Sequence, residues 1–129
     1  MTQLTSRPTA LVVETNYLVA SVFEAPLVAA GYRVMIATNP EEAFELLDRE
    51  DIRLALIDFR LQHGEPNGLV ARLSRSGVPF IFCTAASADE VLEHFPDARV
   101  MAKPFSDEAL LQAVTELVQT AGISANKPS

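Results

Sequence analysis

The chain has 129 residues, 49% of them hydrophobic, and a formal net charge of −7. That size and apolar content suit one globular domain with a sizeable core; the acidic balance argues against a nucleic-acid surface, which needs Lys and Arg on phosphates. No apolar segment approaches the ~20 residues needed to span a bilayer, and Met1 to Arg7 lacks a secretory signal's apolar stretch.

Short β-rich runs alternate with stretches of helical period, the signature of βα units around a parallel sheet. Strands are expected near 9–14, 33–37, 53–57, 78–83 and 98–102, and helices near 16–30, 40–49, 68–76, 87–95 and 106–120. In the first helix Val19, Val22, Phe23, Pro26, Leu27 and Ala30 share one face at 3.6-residue spacing. Pro26 should kink that helix, because its ring displaces the carbonyl four residues back. Gly31 supplies the stop. The second helix opens with Asn39 as cap, Pro40 at the first helical position and Glu42 three residues after the cap. Ser87 with Glu90 forms a similar capping-box pair, and Ser106 with Asp107 and Glu108 starts the fifth helix. Leu110, Ala113, Val114 and Leu117 form that last helix's core face. Pro79 falls at the start of its strand, where a missing donor is tolerated. Gly122 to Ser129 is small and polar and is expected to fray.

Four of the strands end in groups that carry chemistry. Leu54-Ala55-Leu56-Ile57 ends in Asp58, Ala10-Leu11-Val12-Val13 in Glu14, Phe80-Ile81-Phe82-Cys83 in Thr84, and Val100-Met101-Ala102 in Lys103-Pro104. If the strands lie parallel, two acids, a hydroxyl and an amine converge on one sheet edge. Each has an ordinary reading as well: a turn or cap acid at Asp58 or Glu14, a turn hydroxyl at Thr84. The agreement of four strand ends favours phosphoryl chemistry. The polar stretch from Phe59 to Gly68 leaves Asp58 accessible as a nucleophile. In a 2-1-3-4-5 strand order Glu14 stands beside Asp58, and the two can share a Mg²⁺, a hard cation suited to carboxylates. Thr84 can donate to a phosphoryl oxygen. Lys103 can pair with Asp58 and with incoming phosphate, while Pro104 restricts the lysine's backbone to extended conformations.

His63 and His94 lack metal-ligand spacing and are expected in solvent. Cys83 is the only cysteine, so there is no intrachain disulfide, and a reducing cytoplasm fits best. It sits among strand apolars as a core residue, as do Phe44, Phe80, Phe82 and Phe95. Glu14-Thr15-Asn16-Tyr17 is not a Gly-rich phosphate loop, which counts against nucleotide binding. No Ser-His-Asp elbow is visible.

With these residues placed, positions 9 to 120 resemble bacterial two-component response-regulator receiver domains. The matching pieces are Val12-Val13-Glu14, Leu56-Ile57-Asp58, Pro66-Asn67-Gly68, Thr84-Ala85 and Lys103-Pro104-Phe105. The resemblance implies a flavodoxin-like, doubly wound five-stranded parallel sheet of order 2-1-3-4-5 with five helices. Residues 1–8 would be an N-terminal tail, 9–121 the receiver and 122–129 a disordered tail. It makes Asp58 the phosphoacceptor, with Thr84 and Lys103 on the phosphoryl group. Glu14, Asp58 and the backbone carbonyl of Arg60 become Mg²⁺ ligands, with Thr15 as a neutral oxygen donor. Phe82-Cys83-Thr84 and Phe95-Pro96-Asp97-Ala98 are also similar to a single-domain subgroup paired with HWE-type histidine kinases, which carries Gly where this chain has Ala85.

Two positions depart from the family pattern. Thr15 replaces a second acid, and a unit charge ~4 Å from the ion contributes at most roughly 4 kcal/mol per unit metal charge at an effective dielectric near 20. Even ~1.4 kcal/mol of that would weaken Mg²⁺ about tenfold. Val100 stands where the family has a switch aromatic. The reading that follows is a monomeric or weakly dimeric cytoplasmic receiver, a phosphoacceptor rather than an enzyme, which contacts neither nucleic acid nor membrane. Its partner is a sensor histidine kinase or phosphotransfer protein, and it serves as relay intermediate or phosphate sink. The rivals are a phosphorylation-independent pseudo-receiver, favoured by Thr15 and Val100, and a flavodoxin-like small-molecule binder.

Overall fold

The computed structural model describes residues 7–58, 67–85 and 88–126. Strands β1 (Thr9–Val13), β2 (Arg33–Ala37), β3 (Ile52–Ile57), β4 (Phe80–Thr84) and β5 (Arg99–Ala102) form one sheet in the order β2-β1-β3-β4-β5. Every neighbouring pair is parallel. Among the described residues the helical segments are α1 (Tyr17–Ser21), α2 (Glu24–Ala29), α3 (Pro40–Arg49), α4 (Asn67–Ser76), α5 (Ala88–His94) and α6 (Asp107–Asn126). The first two lie within the stretch expected as one helix, so the five helical units of a flavodoxin-like fold are present.

The period-2 alternation of a strand buried on both faces explains the two core layers. Leu11, Val13, Ala55, Ile57 and Phe82 face one way and pack with Ala43 and Leu46 of α3, Leu69 and Leu73 of α4, and Val91 of α5. Their neighbours Ala10, Val12, Leu54, Leu56, Ile81 and Cys83 face the other way. They meet Ala20, Phe23 and Leu27 of the first helical stretch and Leu110, Val114 and Leu117 of α6. Fully burying a Leu-sized side chain contributes ~1.5–3 kcal/mol, so these layers fix which strand ends share an edge. Phe82 anchors one layer, with the Phe95 ring 5.2 Å from its own and the Phe80 ring 5.6 Å away.

The stretch 16–30 breaks between Ser21 and Glu24 rather than merely bending. Pro26 has no N–H for the carbonyl of Val22, and a new turn starts with Leu27 N–H donating to the Phe23 carbonyl. The buried face keeps helical spacing across the break, at Ala20, Phe23 and Leu27. Ala20, Phe23, Pro26 and Leu27 are inside, but Val22 is 60% exposed, Ala30 is exposed and Val19 is only half-buried. The expected six-residue stripe is therefore too wide: the sheet covers its centre and leaves Val22 and Ala30 in solvent. Gly31 ends α2 as anticipated: its φ of +100° closes a Schellman motif in which Tyr32 N–H donates to the Leu27 carbonyl and Gly31 N–H to Val28.

The caps largely follow the sequence. Asn39 accepts from Glu42 N–H at 2.8 Å, and Ser106 Oγ accepts from Ala109 N–H at 3.0 Å. The Glu42 carboxylate reaches one residue beyond the cap, to the N–H and hydroxyl of Thr38. Those bonds hold its carboxyl below the usual range. Ser87, proposed partner of Glu90, lies outside the described residues. The backbone of α6 is helical to Asn126, past the point at 122 where a disordered tail was expected.

Candidate functional site

Strand register brings the chemistry to one edge. Val13 pairs with Ile57 in the β1–β3 ladder and with Ala37 in the β1–β2 ladder. One residue on, Glu14 and Asp58 therefore emerge side by side, with Asp58 N–H donating to the Val13 carbonyl at 2.9 Å and Glu14 N–H to Ala37 at 3.0 Å. Thr84 pairs with Ala102, and Lys103 N–H donates to the Thr84 carbonyl at 2.9 Å. This delivers Lys103 toward the two acids from the far side of β3 and β4. The Lys103–Pro104 peptide is cis, and Phe105 packs on Phe23 with ring centroids 5.3 Å apart. The lysine's backbone is thus tied to β4 on one side and to the helical layer on the other.

The lysine ammonium lies between the acids, nearer one of them. Its Nζ is 2.6 Å from Glu14 Oε1 and 3.7 Å from Asp58 Oδ2. The expected ion pair with Asp58 is present at 3.7 Å. A shorter, charge-assisted hydrogen bond goes also to Glu14, because β1 lies next to β3 and its acid projects into the same space. Glu14's other oxygen accepts from Asn16 N–H at 3.2 Å. Asn16 meanwhile caps α1 through its own side chain, accepting from Leu18 N–H at 2.9 Å. Side-chain exposure is 7% for Glu14, 14% for Asp58 and 20% for Lys103, so all three charges are largely screened from water.

Thr84 is fully buried at the end of β4, and Thr15 is half-buried beside Glu14. Cys83 lies beneath the same edge. Burial pushes its thiol up to about 12, with Lys103 pulling it down and Asp58 and Glu14 pushing it up. Arg60, expected to lend a carbonyl, and His63 lie outside the described residues. His94 is exposed at the end of α5, as expected. Sequence reasoning missed the small apolar cleft of about 200 Å³ beside Lys103, lined by Val19, Val22, Phe23, Pro104 and Phe105.

Glu14 and Asp58 give a divalent ion two carboxylates, the number with which Mg²⁺ is commonly held. Both are hard ligands of the right kind; among the described residues no third acidic, histidine or cysteine side chain joins them. Both oxygens of Glu14 already have partners, one of them an ammonium, and one hydrogen bond on each does not bar a further ligand.

An open parallel sheet in this order, with two acids, a buried threonine and a lysine at its carboxyl edge, defines a flavodoxin-like α/β module whose reactive groups gather where such sheets bind ligands. The chain belongs to the response regulator receiver domain family, whose model matches residues 10–115. It is therefore a receiver module of two-component signalling. It is similar to a protein of Porphyridium aerugineum named "Probable transcriptional regulator ycf27". The two are 31% identical over 127 residues, covering 92% of this chain and 52% of that protein. The chain thus spans about half the length of this relative. Among solved structures, a response regulator receiver domain protein (CheY-like) from Methanospirillum hungatei JF-1 matches with a TM-score of 0.79 and 26% identity, covering 92% of this chain and 99% of that one. The signal receiver domain of an HD domain-containing protein from Pseudomonas fluorescens Pf-5 matches with a TM-score of 0.81 over 91% and 98% of the two chains. At 20% identity this second likeness carries the fold alone.

Proposed function

We propose that Asp58 is the phosphoacceptor of this receiver, taking a phosphoryl group from the phosphohistidine of a sensor histidine kinase or phosphotransfer protein in the cytoplasm. A carboxylate oxygen of Asp58 attacks phosphorus as the P–N bond breaks. The electron pair leaves with the imidazole nitrogen, and the aspartate becomes an acyl phosphate. Asp58 is consumed as an acceptor and is not a turnover catalyst. One observation carries the reading: the Lys103 ammonium stands within 3.7 Å of the Asp58 carboxylate at the carboxyl edge of a parallel sheet. From there it can neutralise charge arriving on the phosphoryl oxygens. Thr84, buried at the end of neighbouring β4, supplies a hydroxyl to that group on becoming accessible. Such a change is the two-state shift through which the phosphoryl group alters a protein-binding surface. The Phe82-Cys83-Thr84 and Phe95-Pro96-Asp97-Ala98 pieces favour an HWE-type kinase as donor.

Intact-mass spectrometry after incubation with acetyl phosphate or a panel of phosphorylated kinases tests this. The wild type should gain one phosphoryl group and Asp58→Asn none. Label persisting in Asp58→Asn refutes the assignment. A wild type that takes no label but still binds a kinase supports the pseudo-receiver reading, which Thr15 and Val100 favour.

A further inference from the structure

We infer that the amino edge of the sheet, opposite Glu14, Asp58 and Lys103, carries a second site, an arginine-rimmed pocket for an organic phosphate. Its anion would sit on Arg7, Arg33 and Arg53, and its apolar body in the slot beside Tyr32. The inference does not depend on Asp58 being a phosphoacceptor.

Strand register gathers the arginines. Thr9, at the start of β1, pairs with Arg33 on one side and with Ile52 on the other, and Arg33 N–H donates to the Pro8 carbonyl at 2.8 Å. Arg7 enters from the chain just before β1, so three adjacent strands each bring a guanidinium to one rim. Arg53 arrives through an irregularity. Thr9 pairs with Ile52 but Ala10 with Leu54, which leaves Arg53 as an extra residue in the β1–β3 ladder. Such bulges re-aim a side chain, and Arg53 is the exposed residue of a strand whose other members are buried.

Two adjoining cavities open at this rim. One, of about 550 Å³, is lined by Arg7, Arg33 and Arg53 together with Glu50 and Asp51. The other, of about 410 Å³, shares Arg53 and Asp51 with it and continues between Tyr32, Val78, Pro79 and Val118. Both have the size of small-molecule sites.

Charge and shape set the ligand class. Three guanidiniums against two carboxylates leave one net positive charge here, on a chain whose net charge is −7. The ion pairs are long, 4.0 Å for Arg33–Glu50 and 3.8 Å for Arg53–Asp51. A guanidinium presents a fork of N–H donors matched to phosphate, so one such pair leaves donors for an anion. Asp51 is the opposing group, and its 87% exposed side chain can turn to solvent. The slot offers what an inorganic ion does not use, apolar walls and the half-buried Tyr32 ring. Burial holds the Tyr32 phenol above its usual range while the Arg53 charge pulls it down, so at neutral pH it keeps its proton as a donor.

Titration of the full chain in Mg²⁺-free buffer with AMP, adenosine and inorganic phosphate as separate probes, followed by amide NMR, tests the site. AMP should shift Tyr32, Arg33, Arg53 and Val78 and leave Glu14, Asp58 and Thr84 in place. Adenosine and inorganic phosphate, each lacking half of the ligand, should bind at least about tenfold more weakly than AMP. Arg53→Gln should weaken AMP about tenfold and Asp51→Asn should strengthen it. Arg99→Gln, at the start of β5 on the same edge but two strands from β1, should change nothing. No shift at the arginine rim up to about 5 mM AMP overturns the inference, as does equal affinity of wild type and Arg53→Gln. Inorganic phosphate binding as tightly as AMP overturns the assignment of an organic ligand. The wild-type shift map needs no variant, so the test stands even if Arg53→Gln does not fold.

Discussion

Neutralising Glu14 should destabilise the protein more than neutralising Asp58, although Asp58 is the residue assigned the chemistry. At an effective dielectric near 20, the 2.6 Å approach of Lys103 to Glu14 corresponds to a gross attraction of about 6 kcal/mol, and the 3.7 Å approach to Asp58 to about 4 kcal/mol. Desolvation of three largely buried groups offsets most of both, so the difference is more informative than either value. Glu14→Gln preserves shape and the acceptor for Asn16 N–H but removes the charge. It leaves Lys103 with a longer contact only, at an expected cost of about 2 kcal/mol. Asp58→Asn loses the weaker attraction and also relieves repulsion between neighbouring carboxylates, for an expected change under about 1 kcal/mol of either sign. Lys103→Met leaves both acids facing each other and should cost about 3 kcal/mol or more. Urea unfolding followed by circular dichroism resolves these values. With a slope of about 2 kcal/mol/M, the Glu14→Gln midpoint falls by about 1 M, and that of Asp58→Asn moves by less than half as much in either direction. If Asp58→Asn proves as costly as Glu14→Gln, the lysine belongs to Asp58 in solution and the reasoning from the two distances is wrong.

The Cys83 thiol, raised by burial from 9.0 to about 12, is held protonated more tightly in the folded than in the unfolded chain. Its contribution to stability is therefore complete below pH 9.0 and is lost as pH rises toward 12. Wild type should lose up to about 1.4 kcal/mol per pH unit across that window relative to Cys83→Ala; parallel stability–pH curves would contradict the shift. Val100 is half-buried against one core layer and carries no ring to flip. Phosphorylation-dependent amide shifts are accordingly expected to be largest at Asp58, Thr84, Ala85 and Lys103 and small at Val100. A rearrangement centred on Val100 would show that another route carries the switch.

The fold was legible because its determinants are local and periodic. Four- to six-residue apolar runs separated by amphipathic stretches specify βα units, and parallel βα units have few ways to close. The strand order, the two core layers and the edge shared by Glu14, Asp58, Thr84 and Lys103 follow from that pattern. The Gly31 stop and the Asn39 and Ser106 caps were also readable, because backbone donors there are satisfied within a few residues. What the chain's order could not show is which of two acids holds one lysine. Lys103 is 89 positions from Glu14, and its choice depends on a register of about an ångström set by the packing of β1 beside β3. The exposure of Val22 was hidden for a related reason. Periodicity marks a face but not how wide a stripe the sheet covers, and only packing left Val22 and Ala30 outside while Ala20, Phe23 and Leu27 stayed in.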